Sequence, residues 1–186
     1  MIKIPQHSLT EIGYFILITI TIHFAWRLWE HQYDYAPFSY EMNKMEDRLV
    51  SIGFNQSVWV LGKISPYNFS IKEQTIIFDS KRSLRVFSGC SGLKQFSQFA
   101  LLMLLYPGPR KKKAWYIPAG ILLMHVVNLI RLTGLAMVIV NYPPLWDFCH
   151  DFLFKILFYA VIFAMWVLWV EVISAQKKSA QSHSLL

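Results

Sequence analysis

Cysteine is scarce in this sequence: Cys90 and Cys149 are the only two in 186 residues. Two thiols do not make a disulfide framework, and neither belongs to a Cys-x-x-Cys pair. The six histidines show no ligand spacing, so no metal site is expected. A glycine-rich phosphate loop, a His-Glu-x-x-His helix and a Gly-x-Ser-x-Gly elbow are all missing. No metal and no organic cofactor is therefore expected. Internal repeats are absent, and low complexity is confined to a polar tail after Ala175.

Acidic residues are few as well, 11 against 18 Lys and Arg, leaving a net charge of +7. Such an excess could signal a nucleic-acid partner, but its placement excludes one. The densest run, Arg110-Lys111-Lys112-Lys113, lies between two apolar segments, and Lys177-Lys178 follows the last of them. Cytoplasmic loops of membrane proteins have that pattern, whereas a DNA-binding patch needs a soluble surface.

What the chain has in quantity is apolar surface. Hydrophobic residues make up 55% and aromatics 16%, with a mean hydropathy of +0.37. A soluble protein of this length would expose too much of it, so the lipid bilayer is the expected surroundings. The length suits a single membrane-embedded domain over 1–186. The expected class is an all-α integral membrane protein with about four transmembrane helices. The first runs from about Ile12 to Trp29, and lacks a small-x-small cleavage site that would make it a signal peptide. The second begins near Cys90 and ends at Tyr106 before Pro107-Gly108-Pro109. The third spans about Trp115–Val140, interrupted by Asn128 and Arg131, and the fourth about Phe152–Ile173.

Residues 30–90 are more polar and form an insertion between the first two helices. Glu41–Arg48 reads as a charged helical stretch. Leu49–Leu61, interrupted by Asn55, Gln56 and Ser57, reads as interfacial. Ile71–Phe78 and Leu84–Phe87 read as strands of a hairpin around Asp79-Ser80-Lys81. Placing the basic runs inside puts both termini inside and the insertion outside.

Depth then selects the residues with chemistry. Arg131 lies 18 residues past Lys113, roughly 27 Å at the helical rise. Cys90 lies 20 residues before Arg110, roughly 30 Å away by the same arithmetic. His150 directly precedes the fourth helix. All three fall at one level near the outer edge of the core, although a shared level does not make them neighbours.

For each residue two readings stand at this point. Cys90, in Ser88-Gly89-Cys90-Ser91-Gly92, is a nucleophile whose thiolate a helix N-terminus and Lys94, one turn along the same face, would favour; or it is a small residue buried in a turn. His150 is a proton carrier, with Asp147 or Asp151 to orient it; or it is an interfacial histidine. Arg131 holds a peptide carbonyl or oxyanion; or it snorkels or glues helices. Asn128 shares its face. Cys149 is read as structural.

The motifs Gly89-Cys90-Ser91-Gly92-Leu93 and Asn128-Leu129-Ile130-Arg131-Leu132, followed by His150 before the last helix, resemble the exosortase/archaeosortase family of membrane-embedded cysteine transpeptidases. The small size is similar to compact Bacteroidetes-type members, and Gly89 stands where an alanine is common. The resemblance implies Cys90 as nucleophile, Arg131 as substrate or oxyanion stabiliser and His150 as proton carrier, with Asn128, Lys94 and Ser91 binding substrate or supporting the site. It implies protein substrates ending in a short motif, a membrane helix and a basic tail, cut at the outer face of a bacterial inner membrane. Two other functions remain open: a non-enzymatic subunit of a membrane transport or assembly complex, and a plain intramembrane cysteine hydrolase without transfer.

Overall fold

A computed structural model of the chain describes residues 6–31, 39–80 and 82–183, without the side chains of 6–9, 11, 29–31 and 172–183. The expectations for Lys81 and the side chains of Trp29, Lys177 and Lys178 lie outside the described residues. In chain order the elements are α1 (Gln6–His31), α2 (Ser39–Ile64), β1 (Phe69–Lys72), β2 (Thr75–Phe78), β3 (Ser83–Arg85), a 3-10 turn (Ser88–Cys90), α3 (Leu93–Leu105), α4 (Arg110–Asn141), a 3-10 turn (Pro143–Leu145), α5 (Trp146–Phe148), a π-helical turn (Cys149–Leu153) and α6 (Phe154–His183).

Among the described residues two stretches are long and apolar enough to cross a bilayer: α4, and the run Pro143–Glu171 that ends in α6. The apolar parts of α1 (Ile12–Leu28) and α3 are shorter. Large apolar side chains face outward on α1 (Leu17, Phe24), α4 (Leu122, Ile130) and α6 (Ile156, Leu168). Water would make that surface a liability; lipid does not.

Two cores divide the protein along α4. In one, Ile22 of α1, Phe96, Phe99 and Leu102 of α3, Met124 and Val127 of α4, and Phe158, Ile162 and Trp166 of α6 pack together. In the other, Leu132, Leu135 and Ala136 of α4 meet Val50, Phe54 and Leu61 of α2, Ile76, Phe78 and Leu84 of the sheet, and Cys90, Cys149 and Phe154. The changeover falls between Val127 and Leu132, where Asn128 and Arg131 stand. Close approach of α3 and α4 depends on Gly120: a Cβ there would lie 2.1 Å from Cε1 of Phe99. Lys113 ties the same seam, donating to the carbonyls of Leu104 (2.8 Å) and Tyr106 (2.5 Å) at the end of α3.

Four expectations change. The charged stretch and the segment Leu49–Leu61 are one helix. Asn55 and Gln56 are exposed, while Val50, Gly53, Phe54, Ser57 and Leu61 recur at helical spacing on the buried face. Both ends of that face pack into the same core, as a helix lying across it would. Ile71–Phe78 is two strands rather than one. Lys72 pairs with Thr75 around a Glu73-Gln74 turn, Glu73 taking a positive φ of 53°, so the sheet has three antiparallel strands in the order β1-β2-β3. Glycine or asparagine normally marks such a turn, and neither is present. Arg110–Lys113 is the first turn of α4, not a loop: Tyr106-Pro107-Gly108-Pro109 is the whole connection. Lastly, Gly92 has φ +78° and separates the Cys90 turn from α3, so Lys94 does not follow Cys90 on one helical face.

Candidate functional site

The Cys90 turn is built by its own backbone. Phe87 is extended; Cys90 N–H then donates to Phe87 O at 2.7 Å, and Ser91 N–H to Ser88 O at 2.9 Å. The Ser91 hydroxyl accepts from Leu93 N–H at 3.2 Å, taking one of the free donors at the start of α3. Gly92 is required twice over. Its φ lies in the left-handed region, and a Cβ would sit 2.9 Å from the Phe96 ring and 3.2 Å from Asn128 Nδ2. Cys90 itself is buried, 6% exposed, and both cysteines are free thiols.

Asn128, 1% exposed on α4, reaches across to this turn. Its Nδ2 donates to the carbonyl of Cys90 at 3.1 Å and of Ser91 at 3.5 Å. Those carbonyls lie where the chain leaves one helical element and has not begun the next, so a side chain must satisfy them. Arg131 follows three residues later on the same side of α4. It is 8% exposed, and among the described residues its guanidinium makes no hydrogen bond or ion pair. A cation set this deep in an apolar helix and paired with no protein group is costly and uncommon outside functional sites.

His150 stands in the π-helical turn, a local widening of the helix often found at functional sites. Its ring stacks on Trp146, with centroids 5.5 Å apart and planes 13° apart, and Nδ1 meets Asp151 Oδ1 at 3.1 Å. Asp151 also accepts from Lys155 at 3.4 Å. Of the two carboxylates the sequence offers, Asp151 is thus the orienting one. Neighbouring Cys149 is buried in the core that also contains Cys90.

The structure thereby brings the Cys90 turn into direct contact with Asn128, which precedes Arg131 by three residues on one side of α4. His150 is held by Trp146 and Asp151 instead, and among the described residues no hydrogen bond joins it to Cys90 or Arg131. Two polar contacts near the site had no sequence signal: Asn128 to a carbonyl 38 positions earlier, and His125 Nε2 to Gln56 Oε1 of α2 at 2.6 Å. Among the described residues no group of three or more His, Cys, Asp or Glu could hold a metal ion.

The model of one family, described as transmembrane exosortase, matches residues 12–170. No curated protein and no solved structure matches the chain.

Proposed function

The chain belongs to the transmembrane exosortase family, and from that membership we propose that it is a cysteine transpeptidase or protease acting on exported, membrane-anchored proteins. The observation that carries this reading is the Asn128 amide bridging to the Cys90 carbonyl, which sets the thiol's turn against the helix face of Arg131. The site faces the outer side of the bacterial cytoplasmic membrane. The substrate ends in a short motif, an apolar helix and a basic tail that stays inside.

In this reading the Cys90 thiolate attacks the scissile carbonyl carbon. A C–S bond forms, and the carbonyl oxygen takes the negative charge. Arg131, all donor and always charged, stabilises that oxyanion. The C–N bond then breaks, and His150 gives a proton to the leaving amine. A thioester remains on Cys90. An amine, a hydroxyl or water loses its proton to His150 and attacks the thioester, releasing the product and the thiolate. Trp146 and Asp151 fix the imidazole for both proton transfers.

The test is Cys90→Ala in cells that also make a neighbouring protein with such a C-terminal signal. Processing of that protein is lost and the full-length form accumulates. Mass analysis of the mature C-terminus separates transfer, which adds a group, from hydrolysis, which adds none. Normal processing by the Cys90→Ala chain refutes the reading and favours a subunit role.

A further inference from the structure

Five buried polar atoms among the described residues have no hydrogen-bond partner: Thr19 Oγ1, Ser57 Oγ, Gln98 Nε2, Asn128 Oδ1 and Trp166 Nε1. Folded proteins rarely leave such atoms unpaired without a reason. Asn128 Oδ1 is the one whose own side chain touches the Cys90 turn.

The chemistry of its neighbours settles which way this amide points. A peptide carbonyl only accepts, so the end of Asn128 that meets the carbonyls of Cys90 and Ser91 is its NH2 group. The oxygen therefore lies on the other arm of the amide, away from the turn. That oxygen is sealed from solvent and accepts nothing. Beside it stands the opposite case. Arg131, three residues on, has five N–H donors and no acceptor, is 8% exposed, and makes no hydrogen bond or ion pair among the described residues.

An unused acceptor next to unused donors matches one chemical object closely. Side chains three apart on a helix are neighbours, with roughly 5–6 Å between Cβ atoms. In a trans peptide the N–H and the C=O point in opposite directions. A peptide group lying between these two side chains would give its N–H to Asn128 Oδ1 and receive at its C=O from Arg131.

We propose that Asn128 and Arg131 clamp one backbone peptide group of the substrate next to the scissile bond. The inference rests on the peptidase reading above and deepens it. Arg131 alone cannot take an N–H; Asn128 supplies that half. Asn128 is thus a positioning residue with two tasks. Its NH2 fixes the turn that carries the nucleophile, and its oxygen registers the substrate against that same turn. Recognition at this position is of backbone, so the substrate side chain there is free to vary.

The experiment uses the full chain in membranes. The probe is a semisynthetic reporter ending in the cleavage motif, apolar helix and basic tail of a protein encoded beside this chain. Peptide groups flanking the scissile bond are replaced one at a time by esters, which lack the N–H. One replacement is expected to lower kcat/KM about fivefold to tenfold, the usual weight of a single hydrogen bond, and chiefly through KM. With Asn128→Ala the same ester has no further effect, whereas Asn128→Asp, which keeps an acceptor, remains sensitive to it. The clamp is overturned if every flanking ester is cleaved as fast as the all-amide reporter. It is equally overturned if the ester penalty survives in Asn128→Ala. If the all-amide reporter is left intact by the natural chain, the peptidase reading itself fails and the clamp falls with it. Should Asn128→Ala not fold, the ester series on the natural chain decides alone.

Discussion

Replacing Gly120 by alanine tests whether the seam between α3 and α4 is as tight as the structure has it. The added Cβ would lie 2.1 and 2.2 Å from two carbons of the Phe99 ring and 3.2 Å from a third. Carbon atoms rest at about 3.5–4.0 Å, so the ring must withdraw by about 1.5 Å. Phe99 is 0% exposed and boxed in by both helices, so it has little room to swing aside. The helices must part instead. Overpacking costs about 1–3 kcal/mol, and a fully buried ring this close puts the site at the upper end, about 2–3 kcal/mol. Against it stands the better helix propensity of alanine, about 1 kcal/mol. The net loss is about 1–2 kcal/mol, or about 2–8 °C in Tm for a chain of this size. Thermal unfolding of the purified protein in detergent measures it. Phe99→Leu removes the ring atoms that clash, so the double variant Gly120→Ala/Phe99→Leu is expected to recover more than the two single changes predict. A Gly120→Ala protein as stable as the natural chain, or strict additivity in the double variant, would falsify the packing argument.

Two further outcomes follow from other contacts. Lys113→Met strips the cation from the last carbonyls of α3, and a loss of about 1–2 kcal/mol is expected from the uncapped oxygens; Lys113→Arg retains part of it, and unchanged thermal stability in Lys113→Met refutes the capping role. Asp151→Asn leaves folding intact but frees the His150 ring, lowering kcat by about tenfold, less than the ~100-fold or more expected on removing a general acid–base imidazole altogether. Equal turnover by Asp151→Asn and the natural chain would show that stacking on Trp146 suffices to hold the ring.

Much of the architecture is written locally. The runs that became α4 and α6 are long and apolar enough to be read directly. Arg131 stands out because a charge inside such a run is expensive, and Pro107-Gly108-Pro109 marks a sharp break between two helices. What escaped reading has physical causes. Asn55-Gln56-Ser57 breaks the apolar run along the line of the chain. The helix cares about faces, and on that count the segment was continuous with the charged stretch before it. The Glu73-Gln74 turn carries no conformational marker, because a non-glycine residue was placed at a positive φ and the pairing of β1 with β2 overrode its preference. The contact between Asn128 and the Cys90 turn is beyond any local signal. It exists because α3 and α4, joined by a short turn, fold back on one another at Gly120, and only that folded seam brings the amide to carbonyls nearly forty positions earlier.

The shortness of α3 has a further meaning. Thirteen residues rise about 20 Å, whereas the hydrocarbon layer is about 30 Å thick. Leu101, Leu104 and Leu105 give this helix an outward apolar face, yet that face stops well short of its neighbours'. In a bilayer, a face this short is a hydrophobic mismatch, which bordering lipids relieve by thinning, so that headgroups and water would come closer on that flank. The exposed Ser88 and Gly89 crown the short helix and border that dip. In the proposed function, the polar stretch just beyond a substrate's membrane helix would approach the Cys90 turn sideways at such a thinned flank, without first leaving the bilayer.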